Sequence, residues 1–162
     1  MKPEYQISLK HGESCCSGPD PIMVGAGALV INENNRILLF RRPDSVETEP
    51  GCWSQPGGRL LFGEDPKDAT LRKLNEEVGL HAKSLNLLTI HSSVRKQNGN
   101  SLQWISICYL CRDFDRTVTI PDGWKEKEDI RWDWFDLIDL PKPLSSFTKA
   151  SIEALVEYAK KL

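Results

Sequence analysis

The stretch from Pro43 to Gly63 carries three prolines and four glycines, and it constrains this chain more than any other segment. Proline withholds a backbone donor and glycine adds backbone entropy, so neither a helix nor a central strand runs through it. Regular structure must be assembled on either side of a long loop. Directly after it, Asp65 is placed to cap a helix and Pro66 to begin one, since the first helical residue has no useful N–H to lose. Leu71, Leu74 and Val78 recur at helical spacing, and Gly79 stands where a left-handed residue ends a helix. The spacing predicts one amphipathic helix over residues 66–78.

Strands are expected around that helix. The run Ile22 to Ile31, the turn residues Asn32-Glu33-Asn34-Asn35 and the run Arg36 to Arg41 read as a hairpin. Leu85 to Ile90 and Leu102 to Cys111 read as a second pair, joined through Asn98-Gly99 by a loop longer than two residues. Ile130 to Phe135 reads as a further strand. A C-terminal helix opened by Ser145 or Ser146 has an apolar stripe of Ile152, Leu155, Val156 and Ala159; core packing is its simplest use and a homodimer face the minor one. Strand pairs around one helix, closed by a second, predict the α/β class with a mixed sheet and not regular βαβ alternation.

Residues 1–21 read as an irregular lead-in and 22–162 as one domain, because a chain of 162 residues is the size of a single core. The formal charge is 21 − 23 = −2, which argues against the broad basic footprint of a protein that binds nucleic acid polymers, so none is expected as a partner. A polyanionic ligand here would need a bound cation. No apolar run reaches the ~18 residues of a membrane span, and residues 1–20 lack the apolar middle of a secretion signal, so no membrane is expected and the cytoplasm is the expected location. The five cysteines read as reduced thiols: Cys108-Tyr109-Leu110-Cys111 has the gap of a zinc knuckle but no second ligand pair, and Cys15-Cys16 with His11 is weaker still. His81 and His91 read as satisfied or exposed side chains.

Projected at 100° per residue, Leu71, Leu74 and Val78 make one buried stripe and Arg72, Lys73, Glu76 and Glu77 the opposite side, with Ala69 leaving open space one turn earlier. Two adjacent carboxylates with small residues around them suit a hard divalent cation, Mg2+ or Mn2+. The plainer alternative is a solvated face of Arg72–Glu76 and Lys73–Glu77 pairs. The preceding loop favours the first reading, because the glycine pair Gly57-Gly58 lets backbone approach an anion or a metal without an intervening Cβ.

Gly58, Glu64, Arg72, Leu74, Glu76, Glu77, Gly79 and Leu80, at their spacing, resemble the signature of the Nudix hydrolases, and Gly51-Cys52-Trp53-Ser54-Gln55-Pro56-Gly57-Gly58 is similar to the family's approach to it. Leu60 to Glu64, and Trp132-Asp133-Trp134-Phe135 with Leu140 to Leu144, look like the branch that hydrolyses nucleoside triphosphates. The resemblance implies an α/β/α sandwich around a mixed sheet. It also implies metal-assisted attack of water on a phosphorus of a nucleoside triphosphate or another nucleoside diphosphate derivative, with release of a nucleoside monophosphate.

Carried over by position, the Gly57 carbonyl, Glu76 and Glu77 hold the metal, Arg72 orients the carboxylates, and Glu64 is a supporting residue or the base. Arg42, Trp53, Gly58 and Arg59 are the residues expected to touch substrate. The chain departs from the family at Lys73, where a glutamate is usual. An ammonium repels a divalent ion, so the site would keep fewer ions and take its base from Glu64 or from Glu126, Glu128 and Asp129, with Glu128 the further metal ligand; or Lys73 contacts substrate phosphate. Two alternatives stay open: a catalytically weakened domain that binds nucleotide or a protein partner, and an NDP-sugar hydrolase of the GDP-mannose type. That last branch uses a histidine before its final strand, and Asp122 to Arg131 has none.

Overall fold

The computed structural model describes residues 22–97, 100–115, 118–119 and 131–160. Its elements, in chain order, are β1 (Ile22–Val30), β2 (Ile37–Arg41), β3 (Trp53–Ser54), β4 (Gly57–Arg59), α1 (Pro66–Val78), β5 (Asn86–Gln97), β6 (Asn100–Cys111), β7 (Trp132–Phe135) and α2 (Ser146–Ala159). The order β4-β1-β6-β5 makes a mixed four-stranded sheet, in which β1 runs antiparallel to β4 and parallel to β6. A smaller antiparallel sheet has the order β3-β2-β7.

Strand β1 explains the layering. Its alternate residues Ala28 and Val30 join Leu74, Val78 and Leu80 in a cluster under α1, while Leu29 and Ile31 join Leu39, Cys108 and Leu155 in a cluster under α2. A strand covered on both faces must be apolar at successive positions, and β1 is. Helix, sheet and helix therefore form the expected sandwich. Full burial of a leucine or valine stabilises by roughly 1.5–3 kcal/mol, so the pair Leu74 and Val78 anchors α1 to the sheet.

The ends of α1 follow from the sequence. Asp65 Oδ1 accepts from Lys67 N at 2.8 Å, Pro66 opens the helix, and Gly79 closes it at φ 62° with its N–H on Asn75 O at 3.0 Å. The buried face is not the one projected. Leu71 is exposed, and Thr70 is buried in its place, its hydroxyl donating to Pro66 O at 2.8 Å. Ala69 leaves no open space either: it is fully buried against Ala26 and Leu60, where its small size lets the helix lie close to the sheet. Glu77, expected on the solvated side, is buried with Leu74 and Val78.

Two further expectations change. The segments 22–31 and 36–41 do turn at Asn32, whose Oδ1 accepts from Asn34 N and Arg36 N, but they meet only at one bridge, Ile31–Ile37. Both edges of β1 are already filled by β4 and β6, so β2 departs into the other sheet. Strands β5 and β6 do pair, but are longer than expected and register Gln97 with Asn100, leaving two residues between them. In α2, Ser145 is the cap, and Thr148, Ser151 and Leu155 are buried while Val156 is exposed. Cys108 and Cys111 are buried free thiols, as read. His91 departs from the default, because both ring nitrogens are buried without a hydrogen-bond partner among the described residues. Residues 1–21, with Cys15, Cys16 and His11, lie outside the described residues, as do Glu126, Glu128 and Asp129.

Candidate functional site

The site forms where α1 crosses β4. Arg72 is its centre. Its Nε donates to Glu64 Oε1 at 2.7 Å and its Nη2 to Glu64 Oε2 at 2.8 Å, a two-pronged pairing that matches a planar guanidinium to a carboxylate. The same Nη2 reaches Arg59 O at 3.2 Å, and Nη1 lies 3.3 Å from both oxygens of Glu76. Glu64 also accepts from Leu61 N at 2.9 Å. The Arg72 guanidinium and that N–H hold the Glu64 carboxyl below its usual range, and Glu64 in turn raises the pKa of Arg72. A carboxylate so engaged is a poor proton acceptor. Glu64 therefore serves to lock Arg72 between the loop and the helix.

Lys73 folds back over β4. A Cβ built at Gly58 would come within 2.6 Å of Lys73 Cε, so the glycine leaves room for the lysine stem. The ammonium ends on Glu76 Oε2 at 2.8 Å. Lys73 and Arg72 together keep Glu76 ionised against its partial burial. Glu76 thus already carries two cationic partners from the protein.

Glu77 is the reverse case. Its Oε2 accepts from Gly57 N at 2.9 Å, and among the described residues it forms no ion pair. Burial pushes its pKa up to about 7, against the milder opposing fields of Lys73 and of the Gly57 N–H. A buried carboxylate whose burial outweighs the fields of nearby cations is one that a bound metal ion would hold ionised. Among the described residues no group of three or more His, Cys, Asp or Glu side chains gathers into a ligand set. Two carboxylates still suit Mg2+, which usually binds one or two carboxylates and completes its shell with water and substrate phosphate. The donors present therefore fit one divalent cation at Glu77 and Glu76, with Lys73 beside it.

A cavity of ≈ 170 Å³ adjoins β4, lined by Gly25, Ala26, Arg42, Glu49, Gly57, Gly58, Arg59, Arg95 and Trp104 among others. It brings together three of the residues expected to touch substrate: Arg42, Gly58 and Arg59. Trp53 stands apart, edge-on to Phe135 at 4.9 Å between their ring centres and packed in the cluster under α2. Trp104 is buried, and the guanidinium carbons of Arg95 and Arg59 lie 5.0 Å and 5.6 Å from its ring centre, so its ring meets cations and not a base. A larger groove of ≈ 470 Å³, lined by Asn32 to Asn35, Lys83, Arg112 and Trp134, contains none of the catalytic, metal or substrate residues expected from the sequence. Arg95, in a polar stretch of β5, was not expected as a site residue.

Comparison with known proteins agrees with the geometry. A family model described as the NUDIX domain matches residues 21–155. An ADP-ribose pyrophosphatase of Methanocaldococcus jannaschii is 33% identical over 113 residues, covering 70% of this chain and 62% of that protein's own length. An RNA pyrophosphohydrolase of Gluconacetobacter diazotrophicus is 27% identical over 153 residues, covering 84% of this chain and 90% of that protein. The crystal structure of a MutT NUDIX hydrolase from Burkholderia pseudomallei superposes with a TM-score of 0.72 at 29% identity, over 84% of this chain and 99% of that one.

Proposed function

The chain belongs to the NUDIX family, and with it to the hydrolases that act on acid anhydrides; from that premise we propose that it cleaves a nucleoside triphosphate, or another nucleoside diphosphate derivative, at the phosphoanhydride and releases a nucleoside monophosphate. The observation that carries this reading is the buried Glu77, tied to the Gly57 N–H and, among the described residues, without an ion pair, beside a cavity lined by Arg42 and Arg59.

Glu77 and Glu76 would hold Mg2+ or Mn2+, which when bound neutralises phosphate charge and polarises the bond to be broken. The chain's own residues set the rest. Glu64 and the Arg59 carbonyl fix the Arg72 guanidinium so that it steadies Glu76. Gly57 lets β4 lie against β1, because a Cβ there would meet Ala26 O and Gly27 Cα at 2.9 Å, and Gly58 leaves room for the Lys73 stem. Arg42 and Arg59 supply positive charge to the phosphates, which a chain of net charge −2 must concentrate locally. Lys73 places one fixed positive charge against Glu76, lowering the demand for a second ion.

The test is release of pyrophosphate or phosphate, read colorimetrically with a coupling pyrophosphatase, over a panel of nucleotides with Mg2+ and with Mn2+. Metal-dependent release that Glu77→Gln removes is expected. Release from no nucleotide, with nucleotide binding still visible by calorimetry, overturns catalysis and leaves a binding domain.

A further inference from the structure

Three guanidinium groups converge on the ≈ 170 Å³ cavity, and the reaction proposed above assigns no task to one of them. Arg95, on β5, is only partly exposed. Its Nε lies 3.3 Å from Ser93 Oγ, its Nη2 3.3 Å from Ser106 Oγ, and among the described residues it forms no ion pair. Arg59 shares the Trp104 ring with it, and Arg42 lines the same space. The acid among the lining residues is Glu49, whose Oε1 accepts from Ser146 N at 2.7 Å. Arg42 also donates to Thr48 O at 2.7 Å, and a lining that holds three cations and one acid favours an anion. Burial depresses the pKa of Arg95 and Arg42 adds to the shift, while Glu49 opposes it; a bound anion would oppose it further.

Size and shape narrow the ligand. The cavity is smaller than the roughly 300–1,000 Å³ of a pocket that encloses a drug-sized ligand, so it takes one group and not a whole nucleotide. Trp104 is covered by guanidinium groups, and the ring of Phe147 is stacked on His91 at 5.8 Å. Aromatic surface for a base is scarce. A planar guanidinium held by two serine hydroxyls offers its remaining N–H groups as a fork, and phosphate accepts that fork in two-pronged fashion.

We propose that this cavity is a phosphate subsite in which Arg95, with Arg59, grips a substrate phosphate other than the one attacked. The inference rests on the hydrolase reading for which bond is cleaved, but not for the binding itself. It makes the enzyme select a phosphate chain with a charged end, as in a nucleoside 5′-triphosphate, over a nucleoside diphosphate joined to a neutral sugar.

The experiment has a binding arm and a kinetic arm, both on the full chain. Calorimetry without divalent metal measures inorganic tripolyphosphate and guanosine binding to the wild type, Arg95→Gln and Arg95→Lys, with circular dichroism reporting the fold. Arg95→Gln should weaken tripolyphosphate by roughly tenfold or more, the loss expected when charge-assisted hydrogen bonds go, and Arg95→Lys by less. Should Arg95→Gln not fold, Ser106→Ala, which removes one strut, should weaken tripolyphosphate measurably. In the kinetic arm, Arg95→Gln should lower kcat/KM for ATP by a similar factor and by more than for ADP-ribose, which has no terminal charged phosphate. Tripolyphosphate binding indifferent to both Arg95 and Ser106, or guanosine binding that needs Arg95, overturns the subsite. A protein that binds tripolyphosphate through Arg95 yet cleaves no nucleotide refutes the hydrolase reading and leaves the subsite standing.

Discussion

Lys73→Glu puts a third carboxylate where the structure holds an ammonium 2.8 Å from Glu76 Oε2. The lysine and glutamate side chains are 23% and 43% exposed, so the lost pair is worth about 0.2–1 kcal/mol. Repulsion from Glu76 and from buried Glu77 adds a similar amount, so the metal-free variant should be less stable by about 1 kcal/mol. For a domain of this size that lowers Tm by roughly 2–4 °C. Mg2+ should reverse the order. A cation that binds only the folded state stabilises by about 2.7 kcal/mol at a hundred times its Kd, and the added carboxylate lowers that Kd. Thermal melts by circular dichroism, first in chelator and then along a Mg2+ titration, give both quantities. Pyrophosphate release should rise in parallel. A variant that melts no lower than the wild type without metal, or whose Tm responds to Mg2+ no more steeply, refutes the idea that Lys73 stands in for part of the cation charge.

The pH dependence of stability isolates Glu77. In the metal-free protein its carboxyl titrates near 7, above its unfolded value, so the folded state binds the extra proton between those limits. This contribution is present at low pH and lost as pH rises toward 7. Glu77→Gln escapes the loss, and urea denaturation in chelator should show the variant gaining on the wild type between about pH 5 and pH 8, by at most about 3 kcal/mol. Glu64 and Glu76, whose pKa values are lowered, act in the opposite sense in both proteins and cancel from the difference. A constant gap contradicts the assignment. The two glycines should also separate. A Cβ at Gly57 would meet Ala26 O and Gly27 Cα at 2.9 Å, both backbone, whereas one at Gly58 meets the movable stem of Lys73. Gly57→Ala should cost about 2 kcal/mol or more and Gly58→Ala less than about 1 kcal/mol, while Gly58→Ala frees Glu76 from Lys73. Equal losses in denaturant melts would mean the β4 geometry is misread.

Local features were legible because their causes are local. Asp65, Pro66 and Gly79 each act on residues within one turn, and all three take the places read for them. Pairing of β1 was not legible. Its partners come from β4, some thirty residues on, and from β6, some eighty on, and a turn at Asn32 fits a hairpin as well as it fits two strands leaving for different sheets. Leu71 and Ala69 failed for a related reason: the helix is rotated by what it packs on, and the close approach of Ala26 and Leu60 draws Ala69 inward and turns Leu71 out.

The site divides along the same line. Glu64, Arg72, Glu76 and Glu77 lie within one loop and helix, so their spacing alone brought them together. Their roles needed the third dimension, since only the Gly57 N–H and the burial of Glu77 set it apart from its neighbour Glu76, which lies in the grip of Arg72 and Lys73. Arg95 was not among the site residues read from the sequence. Whether it faces the cavity depends on the register that sets Ser93 opposite Trp104 and Arg95 opposite Leu102, and a slip of one residue would turn it to the other face of the sheet. A cation that the sequence shows as one of 21 becomes distinctive only when the register places it on the Trp104 ring, between two serine hydroxyls and, among the described residues, without an ion pair.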